Sequence, residues 1–170
     1  LCILLGASAT MTAEAGVRYT VSDLPDVTLG EDLWHYSYRI DGPLPSFGAA
    51  NIFFGASDFA NLALTGFGAD VSPLLVQPDP SLGWDGQLTA TLLSPLGIGG
   101  FETVERDFVW LGVGSPTAQS FELLDDSFNV IGGGSTRLLT SSSVSEPGAV
   151  LLLMLGLAAM RGFRRQLRSS

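Results

Sequence analysis

Short runs of alternating apolar and polar residues recur through the middle of the chain, separated by turn-forming residues. In the clearest run, residues 33–40, the apolar side chains Trp34, Tyr36, Tyr38 and Ile40 alternate with polar ones. Such alternation predicts a half-buried β-strand. Further strands are predicted for residues 17–21, 50–54, 74–77, 86–93, 107–113, 121–124 and 129–131. Residues 57–64 predict another element, in which Ser57 caps a single helical turn, and residues 136–140 predict an edge strand.

The spacing of these runs, near ten residues with turn signals between them, predicts the fold class. The 21 Gly and 9 Pro residues leave few windows for a long helix. A βαβ fold needs crossover helices, so the pattern favours an all-β fold, a single antiparallel β-sandwich of jelly-roll or immunoglobulin-like type. Residues 125–129 predict a hairpin turn, and the glycines at 132–134 predict the point where the chain leaves the sandwich.

The N-terminal segment, residues 1–15, has the pattern of part of a secretory signal peptide. An apolar run is followed by small residues, with Ala-x-Ala sites that end at Ala9 and at Ala15. We expect cleavage after Ala15, because a strand-like run begins at Val17, and cleavage after Ala9 is the alternative. A buried N-terminal strand is the other interpretation of the run.

The C-terminal segment combines a short apolar run with clustered positive charge. Residues 148–160 are 13 uncharged residues, and they predict a transmembrane helix over residues 149–163. A helix of 13 residues spans roughly 20 Å against the ~30 Å hydrocarbon core, so a buried or interfacial helix is the alternative. The tail, residues 161–170, is predicted to stay in the cytoplasm because of its basic residues, Arg161, Arg164, Arg165 and Arg168.

A turn of four residues, Ser145, Glu146, Pro147 and Gly148, stands directly before the apolar run. Pro147 lacks a backbone donor and favours an extended Glu146, so a helix can begin just after it. Glu146 would lie by the positive end of the helix dipole. The alternative is an ordinary helix start without a sorting role.

The order of turn, apolar run and arginines over residues 145–170 resembles the PEP-CTERM sorting signal of exopolysaccharide-producing Gram-negative bacteria. Glu146 and Pro147 match the last two positions of its Pro-Glu-Pro motif, and Ser145 replaces the first proline. The resemblance implies recognition and processing by exosortase, a membrane-embedded transpeptidase. It also implies a transient stay in the inner membrane, followed by release to the cell surface or extracellular matrix.

A second resemblance covers most of the region before the tail. The run DFVWLGVGSPTAQSFELLDDSFNVIGGG and the earlier WHYSYRI are similar to a recurring ectodomain of PEP-CTERM proteins. That ectodomain has no assigned activity, so the resemblance implies surface location and no chemistry. The predicted domains are therefore the signal remnant 1–15, the sandwich 16–139, a Ser-rich linker 140–144 and the sorting signal 145–170.

Charge divides the chain into an acidic body and a basic end. Between residues 16 and 145 stand 15 acidic residues and 4 arginines, a net charge of −11. This acidity argues against nucleic-acid binding, which needs basic surface against phosphates. It favours solubility, and weak divalent-cation binding is the alternative.

Few residues suit catalysis, and we expect neither enzymatic activity nor a bound cofactor. Cys2, the only cysteine, lies in the predicted signal peptide, and the chain has no lysine for a phosphate loop. His35, the only histidine, is predicted to be a surface or edge residue, because no Gly-x-Ser-x-Gly elbow accompanies it. The carboxylates at 31–32, 102, 105, 107 and 125–126 are predicted to be solvated in turns and at strand ends.

The three tryptophans differ in their surroundings. Trp34 and Trp110 lie in apolar runs and are predicted to pack in the core, whereas Trp84 lies between Gly83 and Asp85 in a polar loop. Trp84 is therefore the candidate sugar contact. The leading expectation is a non-enzymatic exported surface or matrix protein. The alternatives are a carbohydrate-binding module for exopolysaccharide and a carboxylate-dependent hydrolase.

Overall fold

The computed structural model describes residues 15–139, and this part of the chain is all-β. The predicted transmembrane helix and signal peptide lie outside these residues. Within them there is no helix that could cross a membrane. The ten strands are β1 (Gly16–Asp23), β2 (Asp32–Asp41), β3 (Ala49–Phe54), β4 (Phe59–Phe67), β5 (Val71–Val76), β6 (Gly86–Leu92), β7 (Phe101–Trp110), β8 (Ser120–Leu124), β9 (Val130–Ser135) and β10 (Arg137–Leu138).

The strands form two sheets of five. The first sheet has the order β10-β1-β2-β7-β4 and the second has the order β5-β6-β3-β8-β9. All pairings are antiparallel except that of β1 with the short β10, which is parallel. The predicted all-β class with antiparallel sheets is confirmed, and the parallel end strand is an exception to it.

One hydrophobic core joins the inner faces of the two sheets, as in a β-sandwich. Strand β2 shows how it forms: Tyr36, Tyr38 and Ile40 are fully buried, while the polar residues between them face outward. Because side chains alternate across a strand, every core strand contributes alternate positions. The second sheet supplies the opposite wall with Ile52, Phe54, Leu88, Ala90, Leu92 and Leu123.

Several predicted boundaries were wrong. Strand β7 begins at Phe101, well before residue 107, because Val104 and Arg106 face inward while Thr103 and Glu105 face outward. It ends at Trp110 and not at residue 113. The glycines 132–134 belong to β9, where their backbone pairs with Phe121–Leu123 of β8. Residues 59–67 form strand β4, so residues 57–64 are mainly strand.

The core contains one arginine. Arg106 of β7 is fully buried, and none of its guanidinium nitrogens has a hydrogen-bond partner within residues 15–139. Its guanidinium carbon lies 3.1 Å from the centroid of the Phe54 ring. Four more rings surround it at 5.3 to 5.8 Å, those of Phe108, Tyr36, Tyr38 and Phe59. Burial lowers the pKa of Arg106 to about 10, so the side chain remains charged at neutral pH.

Candidate functional site

The predicted sorting residues lie outside the part of the chain that the structure describes. These are Ser145, Glu146, Pro147 and Gly148, and the tail residues Arg161, Arg164, Arg165 and Arg168. The structure therefore bears on the candidates within residues 15–139, which are Trp84, His35 and the carboxylates.

Trp84 stands in the loop between β5 and β6 with 66% of its surface exposed. Its backbone pairs with that of Asp79 through two hydrogen bonds: Asp79 N–H donates to the Trp84 carbonyl at 2.8 Å, and Trp84 N–H donates to the Asp79 carbonyl at 3.0 Å. The Asp79 carboxylate accepts bonds from the Ser81 hydroxyl at 2.6 Å and the Ser81 N–H at 2.9 Å. These bonds, above all the Ser81 hydroxyl, hold the pKa of Asp79 below its ordinary value. The loop thus presents the indole on an internally bonded turn.

Trp34 and Trp110 both pack against the core and are partly buried. Trp110 meets Phe59 edge to face at 5.1 Å between ring centroids. The predicted core packing of these two tryptophans is confirmed, which leaves Trp84 as the exposed one.

His35 lies on the outward face of the first sheet, on the central strand β2, so it is a surface residue and not an edge residue. Its Nδ1 lies 2.7 Å from Oδ1 of Asp107 on β7, and Ser22 of β1 is its register partner on the other side. Serine, histidine and aspartate thus form a row across three strands. Strand β2 is paired on both sides, with β1 and with β7, so the backbone around His35 serves the sheet ladder. His35 and Asp107 do not line either of the two cavities described below.

Two of the predicted acidic clusters contain a carboxylate with a hydrogen-bond partner, Asp107 beside His35 and Asp125 in the β8–β9 turn. Asp125 closes the β8–β9 hairpin: its carboxylate accepts hydrogen bonds from the Ser127 N–H at 2.9 Å and the Asn129 N–H at 2.8 Å. Bonds from the Asn129 side chain, and then from its backbone, lower the pKa of Asp125. The predicted hairpin turn is confirmed. Within residues 15–139, no three His, Cys, Asp or Glu side chains are grouped to hold a metal ion.

Two cavities lie at places the sequence did not indicate. The smaller one, of about 240 Å³, lies among the loops at one end of the sandwich and is lined by Asp58, Asp85 and Gln119 among others. The larger one is a groove of about 690 Å³ beside β1 and β9, and its lining includes Arg18, Arg39, Asp41, Arg137 and Gly132 to Gly134.

Asp41 binds two arginines at this groove. Its carboxylate accepts bonds from Nε and one terminal nitrogen of Arg18, both at 2.6 Å, and from Nε of Arg39 at 2.8 Å. Burial raises the pKa of Asp41, but the hydrogen bonds from Arg18 and then Arg39 outweigh it, so the pKa lies below its ordinary value. Arg39 and Asp41 are neighbours on β2, whereas Arg18 lies 23 residues from Asp41, and only the strand register predicts that contact.

Comparison with known proteins gives one family match. Residues 143–166 match the PEP-CTERM protein-sorting motif. No curated protein matches the chain. The motif confirms the predicted resemblance of the tail and indicates an exported protein, sorted by its C-terminal signal to the cell surface and processed by an exosortase.

Proposed function

We propose that this chain is a non-catalytic surface or extracellular-matrix protein that an exosortase cuts at its C-terminal signal, after a transient stay in the inner membrane of a Gram-negative bacterium. The sorting motif at residues 143–166 carries the proposal. The acidic body supports it, because a domain of net charge −11 between residues 16 and 145 is soluble outside the membrane.

The amino-acid order of the tail supports cleavage at its outer end. Pro147 cannot donate a backbone hydrogen bond and disfavours a helical residue before it, so the sequence predicts an extended Glu146, open to an enzyme, before the apolar run. The arginines that follow predict that the last residues stay on the cytoplasmic side. A short apolar run suits a segment that is held briefly and then cut.

The start of strand β1 supports signal cleavage after Ala15. Strand β1 begins at Gly16, and Val17 is already buried in the core. A chain that begins at Gly16 therefore keeps every residue of the first strand.

The strand order supports an immunoglobulin-like sandwich over a jelly roll. A constant-type immunoglobulin domain has sheets A-B-E-D and C-F-G. The orders β1-β2-β7-β4 and β3-β8-β9 correspond to these sheets. The hairpin β5–β6 is then an insertion between the fourth and fifth immunoglobulin strands, and it extends the second sheet beside β3.

Mass spectrometry of the protein from its native host tests the processing. We expect a mature C-terminus upstream of residue 161, and a chain that still ends in Arg168, Ser169 and Ser170 would overturn the proposal. Replacing Glu146 and Pro147 with Ala should make the uncleaved form accumulate in the inner membrane. The matched control replaces Ser141 and Ser142 of the linker with Ala and should be processed like the wild type.

A carbohydrate-binding module associated with exopolysaccharide is the second candidate, and the exposure of Trp84 favours it. An indole face on a hydrogen-bonded loop suits stacking against a sugar ring, because the loop loses little conformational entropy on binding. Replacement of Trp84 with Ala should abolish retention of the full chain on immobilised neutral glycans, with the melting temperature unchanged. Unchanged retention would exclude Trp84 as the contact.

A further inference from the structure

A row of arginines crosses three neighbouring strands of the first sheet. Arg18 of β1 is the register partner of both Arg137 of β10 and Arg39 of β2. Partners in register share a face, and neighbouring strands lie ~4.8 Å apart, so the three backbone positions span roughly 10 Å. Three of the four arginines between residues 16 and 145 thus stand together on an otherwise acidic domain.

Asp41 and Phe101 hold two of these guanidinium groups in place. Asp41 binds Arg18 and Arg39 at 2.6 and 2.8 Å, and the guanidinium carbon of Arg39 lies 3.7 Å from the Phe101 ring centroid. Arg137 makes no ion pair with any residue in the described part of the chain. Three arginines and one aspartate carry a net charge of +2. The guanidinium groups of Arg18 and Arg39 are already held in place before any ligand binds. Fixed groups lose less conformational entropy on binding.

The groove beside this row has a glycine wall. Gly132, Gly133 and Gly134 line it from β9, the edge strand of the second sheet. A Cβ on Gly133 would lie 2.9 Å from the Phe121 carbonyl oxygen, so this strand lies too close to β8 for a side chain there. An edge strand leaves backbone N–H and C=O groups unpaired on its outer side. The groove therefore offers positive charge on one side and backbone hydrogen-bonding groups on the other.

We propose that this groove binds an extended polysaccharide that carries carboxylates. Arginines one strand apart suit anionic groups repeated along a linear chain, and the backbone of β9 suits sugar hydroxyls. An acidic peptide that joined a sheet edge would run along the strands, whereas the arginine row runs across them. The inference rests on the proposed surface location, where such a polymer would be met.

Titration of the full chain, purified in a non-ionic detergent, with polygalacturonate tests this binding. We expect saturable binding at low ionic strength that weakens as salt is added, because exposed charges are screened. Replacing Arg137 with Gln should weaken binding about three- to tenfold. Ser72→Glu, which makes the same change in net charge at an exposed position of the second sheet, is the matched control and should bind like the wild type.

Several outcomes would overturn the proposal. One is absence of binding by a wild-type chain that shows a normal thermal unfolding transition. Another is an equal loss of affinity in Arg137→Gln and Ser72→Glu, which would mean that net charge alone controls binding. Equal affinity for polyglutamate would show that the groove does not select a polysaccharide over a peptide. Equal affinity for neutral dextran would show that the arginines do not contribute to binding. None of these results depends on C-terminal cleavage, which is measured separately by mass spectrometry.

Discussion

Arg106 and Arg39 stand on the paired strands β7 and β2, yet one faces the interior of the sandwich and the other faces outward. Arg39 shares the Asp41 carboxylate with Arg18 and covers the ring of Phe101. Arg106 has only ring faces around it, and no hydrogen-bond partner for its guanidinium nitrogens among the described residues. The position of each residue along its strand decides which environment it enters.

The difference shows how this domain stabilises positive charge on its surface and in its core. On the outer face, a carboxylate and water stabilise the guanidinium groups, so each group contributes little to stability. In the core, the negative faces of aromatic rings offset part of the cost of removing a cation from water. The rest of that cost remains, because buried donors without partners are unfavourable. We therefore expect the interior arginine to matter more for stability than the outer ones.

The largest expected effect comes from removing the interior side chain. Arg106→Ala should lower the free energy of unfolding by about 3 kcal/mol, because it leaves a cavity among the rings. Arg106→Met, which fills the space without a charge, should be at least as stable as the wild type. Urea denaturation of both variants measures the two values. If the Met variant is as unstable as the Ala variant, the ring contacts outweigh the cost of burial and the comparison above is wrong.

A smaller loss of stability is expected from removing the charge of the Asp41 carboxylate on the outer face. Asp41→Asn should lower the free energy of unfolding by about 1 kcal/mol at pH 7. The pKa of Asp41 is lower in the folded than in the unfolded state, so its contribution is full above the unfolded pKa of about 4. It is lost as the pH falls through the folded pKa.

Urea denaturation as a function of pH checks the sign. The stability difference between wild type and Asp41→Asn should be constant above pH ~5 and shrink below pH ~4. Asp126→Asn, at an exposed position in the β8–β9 turn, serves as the control and should show little difference at any pH. A difference that grows in acid would contradict the assigned ion pairs.

The smallest loss of stability is expected from a substitution of Arg39 that keeps its positive charge. Arg39→Lys retains a cation beside Asp41 but loses the planar group that covers Phe101. We expect a loss of about 0.5 kcal/mol in the free energy of unfolding. Thermal unfolding at pH 7 measures it, with Arg137→Lys as the matched control. A loss as large as that of Arg106→Ala would remove the distinction between interior and outer arginines.

Much of the fold follows from local sequence patterns. The alternation over residues 33–40 predicts β2 and its buried face correctly, and the acidic turn at 125–129 predicts the β8–β9 hairpin. These features depend on neighbouring residues, whose conformation is decided by strand alternation and turn chemistry. The same local reasoning failed for the first half of β7, because Arg106 at an inward position breaks the expected pattern.

The sorting motif at residues 143–166 is a contiguous stretch of turn, apolar run and arginines, and the sequence by itself determined it. The groove with Arg18, Arg39, Asp41 and Arg137 was decided only by the tertiary structure. Arg137 of β10 is far along the chain from β1 and β2. One residue of slippage in strand register would turn these residues to the other face. Register is set by the packing of the whole sandwich, and no local pattern of residues encodes it.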